Sequence, residues 1–508
     1  MVMVRRMVEV FVDRIMDADD VKEFNGGYQK PHYKDKRQRY SRNIWDQFVA
    51  QSTLHGLHYV FEKRPVPQRL FWLILNALMF SLFLWQTLNL ALAFLDYNVS
   101  STIEFVTERE SSFPAVTLCN FNMYRKSEIN NTEFYEVLKE KNPLYPKNIT
   151  IDWKKYANVN TIDVEDLILK AGHQMSYNET TGKGMLYGCK WKGKKCGEMN
   201  FTRILTDMGL CYMFNSGKDT PIRKVNAPGK QFGLHLRMSV EQDEYVGHVA
   251  FSAGLRIRIH DPDEPPLVSS LGFAVMPGSH VFASISRQRT KSLKSPFKTM
   301  CQDKDLPGIK AYTIAACHEN CKQNHIAKEC RCRPFYMKEN ITEFKQKCTV
   351  EKYFDCVLRI EGEFSSSSLD NCQCTEPCDT MKYSTYLSYG TFPGVEAAKE
   401  YANGSVKALK SFTQCDDISA ALRQYDEVND TDEEDEFTCK NLLAMDIFYE
   451  DLNYHVIKQV PAYSLPNLLG EIGGLMGLFL GASILTVLEF FDVGMVALLT
   501  RLGIYRPL

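Results

Sequence analysis

The 508 residues hold no excess of either charge, since 60 Lys and Arg stand against 62 Asp and Glu for a formal net charge of −2. That balance supplies no bulk attraction to nucleic acid, which is not an expected partner. No glycine-rich phosphate loop follows a strand-like segment, which removes the common nucleotide-binding folds. No nucleophile–base set falls into a recognisable catalytic motif, so the chain is not expected to be an enzyme. No EF-hand spacing occurs, and neither a metal ion nor another cofactor is expected. The first 69 residues are polar and rich in Lys and Arg, so no signal peptide is expected. Cysteine is missing from both ends, with none of the sixteen before residue 119 or after 439.

What is present is concentrated between those ends. Eight Asn-x-Ser/Thr sequons, at Asn98, Asn130, Asn148, Asn178, Asn200, Asn340, Asn403 and Asn429, fall in nearly the same interval as the cysteines. Both features belong to an oxidising, glycosylating compartment. Ten cysteines lie within 301–378, which predicts a compact subdomain stapled by disulfides. Zinc is the competing reading of CRC (330–332) and CQCTEPC (372–378), although extracellular thiols in even number normally oxidise. Alternating stretches such as AVTLC (115–119) and LRIRIH (255–260) read as strands, and 160–175 and 395–412 as helices. The body is therefore expected to be α+β and rich in strand. One insertion, DEVNDTDEEDE (426–436), lies between Cys415 and Cys439. It reads as a solvated loop tied down by its own disulfide, or as a calcium or proton sensor.

Two apolar runs bracket this interval. The first, 70–94, is uncharged and long enough to cross a bilayer with some tilt. Lys63, Arg64 and Arg69 precede it and Asp96 follows, so the positive-inside rule places the N-terminus in the cytoplasm. The second is LPNLLGEIGGLMGLFLGASILTVLEFFD (465–492), and Arg501 and Arg506 beyond it hold the tail inside. The expected plan is a cytosolic segment 1–69, a transmembrane helix 70–95, an extracellular domain 96–463, a second transmembrane helix 464–497 and a cytosolic tail 498–508. Read at helical spacing, Asn467, Glu471, Gly474, Gly477, Gly481, Leu485, Glu489 and Asp492 fall along one side of the second run. Small residues there allow close helix packing. Carboxylates on the same side point instead to a water-filled path for cations. Periodicity leaves both readings open.

The motifs STLHGLHYVF (52–61), FPAVTLCNFN (113–122), DEPP (263–266), DIFYEDLNY (446–454) and LLGEIGGLMGLFLGASILTVLEFFD (468–492) together resemble the degenerin/epithelial sodium channel family. Within it they are most similar to the acid-sensing branch. The resemblance covers nearly the whole chain. It implies a membrane protein with two transmembrane helices plus a large disulfide-rich α+β extracellular domain, assembled as a homotrimer or as a heterotrimer with related subunits. Its partners would be sodium ions, an extracellular gating ligand and the lipid bilayer of the plasma membrane, with both termini cytoplasmic. Gly481, Ala482 and Ser483 would break the second helix into a narrow selectivity belt, with extended backbone whose carbonyls replace part of an ion's hydration. Asn467, Glu471, Gly474, Gly477, Glu489 and Asp492 would line the pore. His55 and Gly56 would belong to a re-entrant segment shaping the inner pore. Tyr97 and Phe297 would form an aromatic gating contact, where the family usually has Trp at the second position.

The resemblance also implies disulfides pairing Cys119 with Cys211, Cys189 with Cys196, and Cys301 with Cys378. Nested within the last would be Cys317–Cys374, Cys321–Cys372, Cys330–Cys356 and Cys332–Cys348, stiffening a thumb-like subdomain at about 297–378. Cys415 and Cys439 are left to pair with each other. The stimulus is open among protons, a peptide, bile acids or another small ligand. Acid-sensing relatives oppose carboxylates across a pocket, so that protonation relieves repulsion. Candidates here are Glu241, Asp243 and Glu244, with Asp261, Asp263 and Glu264 nearby and Glu361 and Glu363 on the thumb. The aligned thumb positions read Leu358 and Gly362, and the positions that hold a chloride in relatives read His318 and Lys322. Competing readings of the whole chain are an ATP-gated trimeric channel, which lacks the Gly-Ala-Ser belt, and a two-span adhesion or scavenger receptor.

Overall fold

A computed structural model describes residues 48, 52, 54–62, 64–141, 151–156, 158–178, 183–218, 220–247, 251–339, 341–364, 369, 371–394 and 441–502. Cys415, Cys439, the acidic segment 426–436 and the helix expected at 395–412 lie outside the described residues. So do Asn148, Asn340, Asn403, Asn429, Lys63, Arg506 and the side chain of Arg501. The chain divides into two units, one made of the residues up to Asp96 with those from Tyr463 onward, the other of Tyr97–Ala462.

In the first unit, Val66–Leu95 is one helix of 30 residues. At 1.5 Å per residue it spans roughly 45 Å, more than the ~30 Å hydrocarbon core of a bilayer. It starts before the uncharged run because Pro65 occupies the cap and Pro67 the first turn, where a missing N–H costs nothing. Leu70, Phe71, Ile74, Trp85 and Leu92 are exposed along it, an apolar surface suited to lipid. The second run forms two helices, Leu465–Leu480 and Ile484–Leu502. Their axes bend by 77° at the break, the geometry of a broken span or of a re-entrant loop. The single face expected from Asn467 to Asp492 is therefore divided, because the bend interrupts the helical period at Gly481.

The second unit is strand-rich. Its strands are β1 (Val99–Val106), β2 (Ser111–Ser112), β3 (Ala115–Asn120), β4 (Leu186–Trp191), β5 (Lys194–Lys195) and β6 (Phe201–Thr206). There follow β7 (Gly209–Phe214), β8 (Lys224–Val225), β9 (Leu234–Ser239), β10 (Leu255–His260) and β11 (Phe273–Val275). The last are β12 (Ser279–Lys291), β13 (Asp379–Thr391), β14 (Leu442–Tyr449) and β15 (Tyr454–Pro461). The larger sheet runs β1-β15-β12-β14-β9-β4-β5, with β13 also paired to β12, and the smaller runs β11-β10-β3-β7-β6. Alternation decides which face is inward: in β10, Leu255, Ile257 and Ile259 are buried while Arg256 and Arg258 are half-buried. Phe113 is fully buried among Trp191, Phe214 and Tyr449, with ring centroids 4.7–6.4 Å away.

The helix expected over 160–175 is shorter, a single turn at Val159–Thr161 followed by Val164–Ala171. Asp163 caps it by accepting from Glu165 and Asp166 N–H. It ends at Gly172, which lies so close to Leu210 that a Cβ there would approach the leucine Cβ to 2.8 Å.

Among the described residues seven disulfides are formed: Cys119–Cys211, Cys189–Cys196, Cys301–Cys378, Cys317–Cys374, Cys321–Cys372, Cys330–Cys356 and Cys332–Cys348. Five of them staple the segment around the helix Ile314–Cys330. Among the described sequons, Asn98, Asn130 and Asn178 are exposed, while Asn200 is half-buried and accepts from Gly197 N–H at 3.0 Å.

Candidate functional site

The break between the helices Leu465–Leu480 and Ile484–Leu502 is made by backbone chemistry. Gly481 ends the first helix at φ +61°, ψ 20°, the left-handed conformation that L side chains avoid. The expected extended backbone is corrected at this residue. A left-handed turn there lets the following Ala482 N–H fold back toward Met476 O at 3.4 Å, beside the Gly481 N–H bond to Gly477 O at 3.0 Å, whereas an extended residue would carry Ala482 away. Ser483 N–H donates to Thr486 Oγ1 at 3.0 Å, half of a capping box that starts the next helix. Irregular backbone in a span is tolerated only where it is buried in protein or lines water.

A second segment reaches the same turn. His55 N–H donates to Leu480 O at 3.2 Å, and His55 Nδ1 lies 3.1 Å from Gly481 O, where the Nδ1–H tautomer donates. Gly56 makes this approach feasible, with φ +85° and with Asn76 Nδ2 2.6 Å from where a Cβ would stand. Phe48 packs edge-on against Phe490 at 4.7 Å. The break is thus braced by a segment 426 residues earlier in the chain.

Asn467, Glu471, Gly474 and Gly477 are exposed on Leu465–Leu480, and open space faces Gly474. Tyr463 donates its hydroxyl to Glu471 at 3.4 Å. At the break Ser483 is exposed and Ala482 buried. On the following helix Glu489 is half-buried and Asp492 exposed. In the second unit, the Tyr97 and Phe297 rings meet edge to face at 5.7 Å, and Lys298 donates to Asn98 Oδ1 at 2.9 Å.

The candidate carboxylates do not gather into one pocket. Buried Glu241 accepts from Gly184 N–H at 2.6 Å and contacts His173 Nδ1 at 2.7 Å. Glu244 is held by Lys183 Nζ and Ser127 N–H, at 2.7 and 2.8 Å. Desolvation pushes its pKa up, but these donors outweigh the burial and leave it lowered. Glu361 faces Lys322 at 3.1 Å, which Glu319 also contacts at 3.0 Å. Burial nonetheless leaves Glu361 raised. Asp263 pairs with Lys310 at 3.4 Å, and Glu363 with Arg359 at 3.2 Å. Each of these acids meets a cation or donor, Glu361 sharing Lys322 with Glu319, so opposed bare carboxylates are replaced by local neutralisation. Asp243 and Asp261 are raised, chiefly by burial. Burial raises Glu264 to about 7 despite the opposing charge of Arg258.

One constellation lay beyond sequence reasoning. Asp446 on β14 is buried, and three cationic or imidazole groups converge on its carboxylate. They are His235 Nδ1 from β9 at 2.6 Å, His280 Nε2 from β12 at 2.8 Å and Lys230 Nζ at 2.6 Å. Desolvation alone would raise Asp446, yet the three donors lower it to about 2. The only sequence signal was Asp446 at the head of DIFYEDLNY; its partners depend on strand register, which pairs Asp446 with His235.

The family model described as amiloride-sensitive sodium channel matches residues 48–493. Acid-sensing ion channel 2 of Homo sapiens is 30% identical over 471 residues, covering 88% of this chain and 85% of that protein. Acid-sensing ion channels 1B and 4-B of Danio rerio are each 31% identical, covering 88% of this chain and 75% and 74% of theirs. A cryo-EM structure of a proton-activated chloride channel aligns at 9% identity, covering 84% of this chain and 96% of that one. Its TM-score is 0.29, too low to bear on fold.

Proposed function

Since this chain belongs to the amiloride-sensitive sodium channel family, we propose that it forms a trimeric, sodium-selective, amiloride-blocked channel of the plasma membrane, opened by extracellular protons or a small ligand. The observation that carries this reading is the braced break at Gly481–Ser483. Ions would pass Asn467 and Glu471, with the small-residue face of Gly474 and Gly477 leaving room for water. They would shed part of that water at Gly481, Ala482 and Ser483 and leave past Glu489 and Asp492. His55 occupies the Gly481 carbonyl, so it sets the shape of the belt and is not itself an ion ligand. Such conduction needs no covalent chemistry, only oxygen dipoles at fixed spacing.

Among stimuli, protons have one specific support: Glu264 is held near the pH range in which extracellular acidification acts. Local cations on Glu244, Asp263, Glu361 and Glu363 work against a carboxylate-pair sensor at those positions, and Glu241 is held by Gly184 N–H and His173. Peptide or bile-acid gating is the alternative for the same pore. Asn467 stands where the family resemblance implies a small residue before the pore and is already larger than Gly or Ala, so partial constitutive opening or slow closing is expected.

The test is expression in oocytes under voltage clamp, with acid, alkali, peptides and bile acids applied and Asn467 enlarged in a parallel variant. An amiloride-blocked sodium current under at least one condition is expected. Its absence under every one, with the protein at the surface, would sink the channel reading for the homomer.

A further inference from the structure

We propose that the β4–β5 hairpin is a docking site for a linear sulfated polysaccharide. Cys189 and Cys196 close this hairpin, and four of the six residues they enclose are lysines: Lys190, Lys192, Lys194 and Lys195. The turn residues Lys192 and Gly193 have φ of 50° and 74°, the paired left-handed geometry of a two-residue type I′ turn. Disulfide and turn together hold the lysines on a short, stiff frame. Its turn end is fixed by buried Trp191, which packs against Phe113 at 4.7 Å and lies beneath the Arg223 guanidinium at 6.0 Å.

The charge arrangement within that frame is unfavourable taken alone. Lys190 stands directly across from Lys195, and like charges at such a cross-strand position destabilise a hairpin. Lys190, Lys194 and Lys195 are exposed, and among the described residues none is ion-paired to a carboxylate. Lys192 reaches Lys224 O at 3.4 Å, bringing a further lysine alongside. The Lys224 side chain is 58% exposed, and its carboxylate neighbour Glu110 is 3.9 Å away. The chain as a whole is slightly acidic, so this density does not follow from bulk composition.

A purely protective role explains less. β5 is the edge of the larger sheet, and edge lysines discourage strand addition. That accounts for Lys194 and Lys195, but not for Lys190 on an inner strand or for Lys192 in the turn. An external polyanion accounts for all four. Cross-strand neighbours stand roughly 5 Å apart and same-face residues along a strand about 7 Å, a spacing that sulfates along a flexible polymer can follow. The disulfides and sequons set this surface in an oxidising, glycosylating compartment, where sulfated glycans rather than nucleic acids are the repeating polyanions.

Binding is measured with the detergent-purified full-length protein on immobilised heparin between 50 and 200 mM salt, which requires no channel current. With about four cations engaged, affinity should fall roughly a hundredfold across that range, a slope of about three in log affinity against log salt. K190Q/K194Q/K195Q should lower the slope to about one, while K190R/K194R/K195R retains it. An unchanged thermal midpoint in both variants separates loss of charge from loss of fold. Desulfated heparin should fail to compete. Equal slopes for the wild type and the glutamine variant would overturn the proposal. Competition by polyglutamate as effective as that by heparin would also overturn it, marking a surface for acidic peptides instead.

Discussion

At Gly481 the backbone and its surroundings exclude any side chain. Its φ of +61° costs an L residue about 1–2 kcal/mol, and a Cβ would lie 1.7 Å from His55 Nδ1. Gly481→Ala must therefore shift either the turn or His55. Sodium current should fall to background with surface expression unchanged, read by voltage clamp and surface labelling; a variant with normal current and selectivity would remove the belt assignment. Glu264 makes a different prediction. Its folded pKa of about 7 lies above the ordinary carboxylate value, so between those values the folded state binds the extra proton. Stability linked to this group is full below the unfolded pKa and declines as pH rises toward 7. The thermal midpoint should rise on acidification from pH 7.5 to 5, and Glu264→Gln should flatten that rise. An identical profile in the variant would place the titration elsewhere.

Among the elements, the helix Ile314–Cys330 shows how spacing becomes rigidity. Cys317 and Cys321 lie four residues apart, about 6 Å along one helix face, and their partners Cys374 and Cys372 lie two residues apart, about 6.6 Å in extended chain. The equal spacing allows two parallel rungs between helix and segment. Replacing Cys321 and Cys372 together by serine should cost about 2–4 kcal/mol and lower the thermal midpoint by about 3–5 °C. No shift in a calorimetric scan would mean that the remaining rungs already supply the constraint. The larger sheet has its polar counterpart in the Asp446 cluster, which ties β9, β12 and β14 together. Asp446→Asn would leave Lys230 without its counter-charge and the two imidazoles on a weaker acceptor, a loss on the order of 3 kcal/mol visible as a lowered midpoint.

For the whole molecule, one chain cannot enclose a pore. Leu465–Leu480 leaves Asn467, Glu471 and Gly474 exposed, and ionisable groups at membrane depth are costly unless they face water or protein. Several copies turning that face inward meet the requirement, and three are proposed. Cross-linking of the intact protein in detergent should yield a limiting species of three 58.4 kDa chains; a limiting dimer or tetramer would refute that number.

Local signals in the sequence determined a good deal of this protein. Run length and flanking charge marked both apolar segments, and the clustering of cysteines and sequons marked the compartment of the domain between them. Gly56 and Gly481 stood out only through the family resemblance, which implied extended backbone at 481 where the fold has a left-handed turn. Tertiary structure decided the contacts that join distant positions. Only folding brings His55 to the Gly481 carbonyl, supplies cations to Glu244 and Glu361, and registers His235 and His280 on Asp446. The helix also stopped at Gly172, short of the end that periodicity gave, and the close approach of Leu210 leaves no room for a side chain there. Hydrophobicity and φ preference belong to short windows of chain, whereas a charge's partner and a strand's register depend on residues hundreds of positions away.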